Sequence, residues 1–212
     1  MIGIVDYKAG NLTSVARALA YLNVPCQVTD DPALLETCAR IIFPGVGAAG
    51  EAMVNLRQTG MDRRIREWVA AGIPTLGICL GTQIIFDESE ENQADCLGIV
   101  PGAVRRFPGD MMDESGRALK IPHMGWNQVR FVRPHPVFAE LPEGAEFYFV
   151  HSYYPDPKDA DAVIGWTDYG IRFCAAIARK NLVAVQFHPE KSGRPGLRIL
   201  ANFSRWGGKD AQ

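Results

Sequence analysis

Short apolar runs alternate with helical patterns through the first ninety residues. Ile2-Gly3-Ile4-Val5 is an apolar run that stops at Asp6 and delivers a loop over residues 7–10. Asn11 stands where a helix cap belongs, ahead of residues 12–22, in which Val15, Leu19 and Leu22 recur at helical spacing. Residues 24–29 and 39–43 read as further strands, and Pro44-Gly45-Val46-Gly47 breaks the second of them. Helical patterns cover 49–57 and 62–71, the latter closed by Gly72. Residues 74–79 form a fourth apolar strand, followed directly by a helix over 80–86. This alternation predicts an α/β fold: an open, mostly parallel, flavodoxin-like sheet flanked by helices. Crossovers should be right-handed, with a ligand at the carboxyl ends of the strands.

Past residue 98 the pattern changes. Strand-like runs at 102–107, 127–131, 146–152, 163–167, 173–178 and 182–187 follow one another with few helices between them. That predicts antiparallel strands added to the sheet, and 196–206 reads as a closing helix. No repeat, low-complexity segment or linker interrupts the pattern, so one domain over 1–212 is expected.

Composition narrows the class. The 212 residues are 47% hydrophobic and 22% charged, as in ordinary globular domains. A net charge of -2 leaves no electrostatic footprint for nucleic acid or an anionic membrane. No apolar run approaches the roughly 20 residues of a membrane span. The opening MIGIVDYKAG has no basic region before its apolar stretch, which fits a strand rather than a signal peptide. The five cysteines are odd in number and contain no CxxC pair, which argues against a disulfide framework or zinc site and for a reducing cytosol. Core packing is the default role for each of them.

One cysteine departs from that default. In Thr75-Leu76-Gly77-Ile78-Cys79-Leu80-Gly81-Thr82-Gln83, Cys79 falls where a strand becomes a helix, with a glycine two residues to either side. This is the layout of a nucleophile elbow with sulfur in place of the usual serine. The following helix start points free N–H groups, such as that of Leu80, at an oxyanion. A structural cysteine beside a glycine-rich turn has the same local sequence. The second piece is Gln186-Phe187-His188-Pro189-Glu190-Lys191, after an apolar strand. Period-two alternation, held extended by Pro189, places His188 and Glu190 on one side, so that Glu190 holds the imidazole from one edge while the other faces the sulfur. The third is the Pro44-Gly45-Val46-Gly47 turn, whose glycines let backbone amides turn toward a ligand at the same sheet edge as Cys79.

Together these pieces resemble the class I, triad-type glutamine amidotransferases over essentially the full chain. Within them, residues 4–12, the turn at 44–47, Lys-Ile-Pro-His-Met-Gly-Trp-Asn at 120–127 and His-Pro-Glu-Lys-Ser at 188–192 are similar to the glutaminase subunits of imidazole glycerol phosphate synthases. The 120–127 stretch is the most specific. Ala49 departs from the family pattern, which has an aromatic after the glycine turn.

The resemblance implies that Cys79, His188 and Glu190 are a catalytic triad that hydrolyses glutamine without metal or cofactor. It implies an oxyanion hole at Leu80 and at Gly45, Val46 and Gly47, where a peptide rotates before its N–H points inward. It implies substrate contacts at Gln83 and in the 151–153 segment, with Ser152 and Tyr153. It also implies a cytoplasmic heterodimer with a (β/α)8-barrel cyclase that receives the ammonia and makes imidazole glycerol phosphate and an aminoimidazole carboxamide ribonucleotide. The sequence carries no P-loop or nucleotide fingerprint of its own that could use ammonia. Asn11, Met124, Trp126 and Lys191 are the implied interface residues. A core tryptophan is the alternative reading of Trp126, and a solvated charge that of Lys191. Rival readings are a glutaminase serving an anthranilate or aminodeoxychorismate synthase, a non-catalytic regulator on the same fold, and a cysteine peptidase.

Overall fold

Strands buried on both faces need apolar residues at every position, and three of the runs meet that demand. In the computed structural model, which describes residues 1–8 and 10–209, all of Ile2–Val5, Thr75–Cys79 and Leu182–Val185 are buried. In chain order the first half comprises β1 (Ile2–Val5), α1 (Leu12–Tyr21), β2 (Cys26–Thr29), α2 (Pro32–Glu36), β3 (Arg40–Gly45), α3 (Ala49–Thr59), α4 (Met61–Ala70), β4 (Thr75–Cys79) and α5 (Leu80–Gln83). The second half comprises β5 (Glu88–Ser89), β6 (Ala94–Asp95), β7 (Gly102–Arg106), β8 (His123–Gln128), β9 (Arg130–Phe131), β10 (Glu146–His151), β11 (Tyr153–Pro157), β12 (Val163–Tyr169), β13 (Ile171–Arg179), β14 (Leu182–Val185) and α6 (Gly193–Arg205).

The main sheet has the order β2-β1-β3-β4-β14-β13-β12-β9. Strands β2, β1, β3, β4 and β14 are mutually parallel, and β13, β12 and β9 continue antiparallel. Two smaller sheets complete the fold, β10-β8 and β11-β7-β5-β6. Apolar faces of helices close both sides of the main sheet. Val15 and Leu19 of α1 and Ile199, Leu200 and Phe203 of α6 join one core. Leu56 of α3 and Ile65 and Trp68 of α4 join the other. Among the described residues no helix is long and apolar enough to cross a membrane.

Three boundaries differ from expectation, each for a physical reason. The helix expected over 80–86 stops at Gln83, because the carbonyls of Ile84, Ile85 and Phe86 accept N–H groups from Leu97, Ile99 and Gly98 instead of continuing a helical ladder. The run at 127–131 belongs to two strands, β8 and β9, and β8 begins four residues earlier. The strand expected over 182–187 ends at Val185, where the chain leaves the sheet and the His188 N–H donates to the Tyr148 carbonyl on β10 at 2.9 Å. The short elements α2, β5, β6 and β11 carry no periodic signal in the sequence.

Candidate active site

Cys79 ends β4 and opens α5 with φ 54° and ψ -107°. A side chain in that region costs on the order of 1–3 kcal/mol and persists only where the surroundings enforce it. Here they do. A Cβ at Gly81 would overlap the Phe43 carbonyl oxygen, and one at Gly77 would lie 3.0 Å from the Gly81 carbonyl oxygen, so the turn passes where only glycine fits. The Thr82 hydroxyl then donates to the Val185 carbonyl at 2.5 Å, tying the elbow to β14. Cysteines 38, 96 and 174 are buried in the core clusters, as their default role requires.

The segment after β14 brings an imidazole and a carboxylate. His188 Nδ1 donates to Glu190 Oε1 at 2.7 Å, and both side chains are fully buried. The route differs from the one strand alternation predicts. Pro189–Lys191 is a 3-10 turn rather than extended chain, so Glu190 reaches back to its neighbour by a turn. His188 Nε2 is buried, and the ring is close enough to Cys79 to feel both its charge and a hydrogen bond to it. Burial alone would lower the imidazole pKa. Negative charge at Cys79 and the bond to Glu190 outweigh it, raising the pKa to about 10.

Asn11 occupies the first-cap position of α1 but caps nothing. Its backbone is left-handed (φ 75°) and its side chain makes no cap hydrogen bond. The amide instead donates to Glu190 Oε1. Its nitrogen also lies 3.3 Å from His188 Nδ1, which already spends its proton on the carboxylate. The residue expected to start a helix thus buttresses the Glu190 carboxylate.

Gly45 ends β3 directly opposite Cys79 in the parallel register. Val46, Gly47, Cys79, Leu80 and Gln83 line a cavity of about 290 Å³ together with Ser152 and Tyr153. The glycine turn, Leu80 and the 152–153 segment therefore share one cavity with the Cys79 sulfur.

A continuous hydrogen-bonded chain runs beside this cavity. Gln186 Nε2 stands 3.8 Å from Cys79 Sγ, and its Oε1 accepts from Gln83 Nε2 at 3.0 Å. Gln83 Nε2 also donates to the Tyr153 carbonyl at 3.0 Å. That carbonyl is 2.7 Å from His151 Nδ1, whose ring lies 3.0 Å from His123 Nδ1 through Nε2. Asn127 Nδ2 lies 3.2 Å from His123 Nε2. A carbonyl only accepts, which settles the tautomers. His151 donates from Nδ1, so its Nε2 accepts from His123 Nδ1–H, and His123 Nε2 accepts from Asn127. Both rings must be neutral. Burial lowers the pKa of His123 to about 4, and burial with the charge of His123 lowers that of His151 to about 3.

The proposed interface residues separate by exposure. His123 faces inward on β8, while Met124 and Trp126 are 62% and 55% exposed, so Trp126 is not a core residue. Trp126 pairs in register with Tyr148 on β10, and the exposed Lys191 ammonium lies 5.8 Å from the centre of the Tyr148 ring.

Three participants carry no signal of their own in the sequence. Gln186 stands beside the His-Pro-Glu motif without a marked role. His123 sits in the 120–127 stretch with nothing to mark it as buried. Glu91, in a run of acidic residues that looks like a solvated surface, lines the cavity and accepts from the Ala49 N–H at 2.8 Å. Burial raises its pKa, against the opposing effect of that hydrogen bond.

Comparison with known proteins agrees with the geometry. The model of the family "Glutamine amidotransferase class-I" matches residues 3–205. The chain is 54% identical to imidazole glycerol phosphate synthase subunit HisH of Desulfovibrio desulfuricans, over 96% of this chain and 93% of that protein. It is 50% identical to the protein of the same name from Moorella thermoacetica, over 95% and 93%. Among solved structures, PurLQS from Thermotoga maritima superposes with a TM-score of 0.71 at 18% identity, covering 95% of this chain and 96% of that one. A glutamine amidotransferase from Thermotoga maritima superposes with a TM-score of 0.63 at 18% identity, covering 94% and 80%. At such identities these structures bear on the fold alone. Sequence and fold lead to one assignment: the chain belongs to the class-I glutamine amidotransferase family.

Proposed function

We propose that this chain is the glutaminase subunit of an imidazole glycerol phosphate synthase, one domain over residues 1–212, working in the cytoplasm as a heterodimer with a (β/α)8-barrel cyclase. The observation that carries the chemistry is Cys79 on its elbow beside an imidazole whose far edge is held by a buried carboxylate. The names of the relatives support this acceptor over a chorismate enzyme, and the intact triad argues against a non-catalytic regulator.

Cys79 Sγ attacks the carboxamide carbon of glutamine. The resulting oxyanion is met by the Leu80 N–H and by N–H groups of the Gly45-Val46-Gly47 turn. His188, charged and oriented by Glu190, gives its proton to the departing ammonia. Once neutral, it takes a proton from the water that cleaves the thioester and releases glutamate. Gln83, Ser152 and Tyr153 hold the amino-acid end, and the Glu91 carboxylate faces its ammonium. Ammonia then passes to the cyclase, which docks over Asn11, Met124, Trp126 and Lys191. An exposed Trp126 fits the aromatic anchors that dominate interfaces.

Glutamine hydrolysis by the full chain, with and without a cyclase subunit, tests the proposal. The chain alone should be slow, and the cyclase with its ligand bound should accelerate it strongly. Cys79→Ala should abolish hydrolysis while leaving fold and partner binding intact. Equal rates with and without cyclase would overturn the coupling, and hydrolysis retained in Cys79→Ala would overturn the nucleophile.

A further inference from the structure

Tyr7, just past β1, is 1% exposed and packs against Gly45 at the start of the oxyanion turn. A Cβ at Gly45 would overlap the Tyr7 hydroxyl and lie 3.1 Å from both the Tyr7 Cζ and the Leu80 Cβ. The phenol thus occupies the space a side chain at 45 would need. Its hydroxyl is buried without a hydrogen-bond partner among the described residues. Tyr7 is not among the residues lining the substrate cavity, so it acts through a neighbour and not on substrate.

An unpaired buried hydroxyl is costly, and phenylalanine would fill the same space without that cost. Burial, with the charge at Cys79, pushes the phenol well above its ordinary pKa, so it keeps its proton and remains a donor. What it lacks is an acceptor, and the adjoining turn is built to supply one. Gly47 has φ 107°, nothing lies within 4 Å of where its Cβ would be, and Val46 is 37% exposed. The backbone beyond Val46 therefore has room to re-aim at Gly47, while Gly45 itself stays buried against the phenol.

We propose that Tyr7 is a positioning residue for the oxyanion turn: its hydroxyl donates to the Gly45 carbonyl once the Gly45–Val46 peptide has rotated to aim the Val46 N–H at the oxyanion. The inference rests on Cys79 being the glutaminase nucleophile. With the hydroxyl unpaired in one arrangement of the turn and paired in the other, Tyr7 biases the turn toward the second. It also explains why position 45 is glycine, since any side chain there would displace the donor.

The test compares wild type with Tyr7→Phe in the full chain, alone and with a cyclase subunit, using glutamine as substrate and the thermal midpoint as a second readout. The expected result is a kcat about tenfold lower, the loss of one hydrogen bond in the activated arrangement. KM should stay within about twofold, because ground-state binding is untouched. The midpoint should be unchanged or higher, because an unsatisfied hydroxyl has been removed. A kcat equal to wild type would overturn the inference, as would a fall in midpoint alongside kcat, the mark of a packing role. Wild type failing to hydrolyse glutamine under both conditions would instead overturn the nucleophile on which the inference stands.

Discussion

The side-chain nitrogen of Gln186 lies 3.8 Å from the sulfur of Cys79, and the oxygen of the same amide accepts from Gln83 at 3.0 Å. The amide cannot turn over without losing both bonds, so the sulfur faces a donor of fixed polarity. Gln186→Leu keeps the buried volume and removes the donor. A hydrogen bond contributes about 0.5–1.5 kcal/mol, so kcat for glutamine hydrolysis should fall by about twofold to tenfold. Steady-state kinetics on the folded variant check this, and an unchanged kcat would remove Gln186 from the machinery.

The buried imidazoles make stability depend on pH in two opposed ways. His188 has a native pKa of about 10 against an ordinary 6.5, so its contribution is complete below pH 6.5 and is lost as pH rises toward 10. His123 and His151 titrate natively near 4 and 3, so the unfolded chain takes up protons the native chain refuses. Their contribution is complete above pH 6.5 and is lost as pH falls toward 4 and then 3. The thermal midpoint, followed from pH 4 to 10, should therefore peak near 6.5 and decline on both sides. A midpoint still rising between pH 6.5 and 5 would refute the acid limb.

Two glycines beside the site should respond differently to alanine. At Gly81 the new Cβ meets the Phe43 carbonyl oxygen, which is backbone in the middle of the sheet. Gly81→Ala should cost about 3 kcal/mol, lowering the midpoint by roughly 6–12 °C. At Gly47 there is open space, and only the φ of 107° opposes a side chain. Gly47→Ala should leave a higher midpoint than Gly81→Ala in calorimetry. The reverse order would show that the elbow yields more readily than its geometry implies.

Much of the site was legible because its chemistry lies at element ends, where sequence signals are strongest. Cys79 between glycines and the abrupt Pro-Gly-Val-Gly break both announced themselves as strand terminations. The parallel half of the sheet followed from continuous apolar runs. What was hidden depends on contacts between distant segments. Asn11 looked like a helix cap because asparagine commonly is one, and only the return of residue 190 to its side shows that its amide is committed elsewhere. The inward face of His123 depends on the β8–β10 pairing, which no local pattern specifies. The acidic run ending at Glu91 resembles solvent-facing sequence because charge density, not location, dominates its composition. The turn at Pro189–Lys191 escaped because alternation alone already brought His188 and Glu190 to one side.

The position of β14 has a consequence for the life of the molecule before it works. It is the last strand among the described residues, yet it fills the middle of the sheet, pairing Leu182 with Thr75 and Val185 with Ile78. During synthesis the sulfur at 79 emerges more than a hundred residues ahead of the imidazole at 188. In the finished sheet β14 joins β4 across more than a hundred residues of sequence, and such long-range parallel pairing is slow to form. A chain that has not yet reached residue 188 therefore holds the thiol at 79 without the imidazole. The insertion that completes the core is also what brings His188 and Glu190 to Cys79.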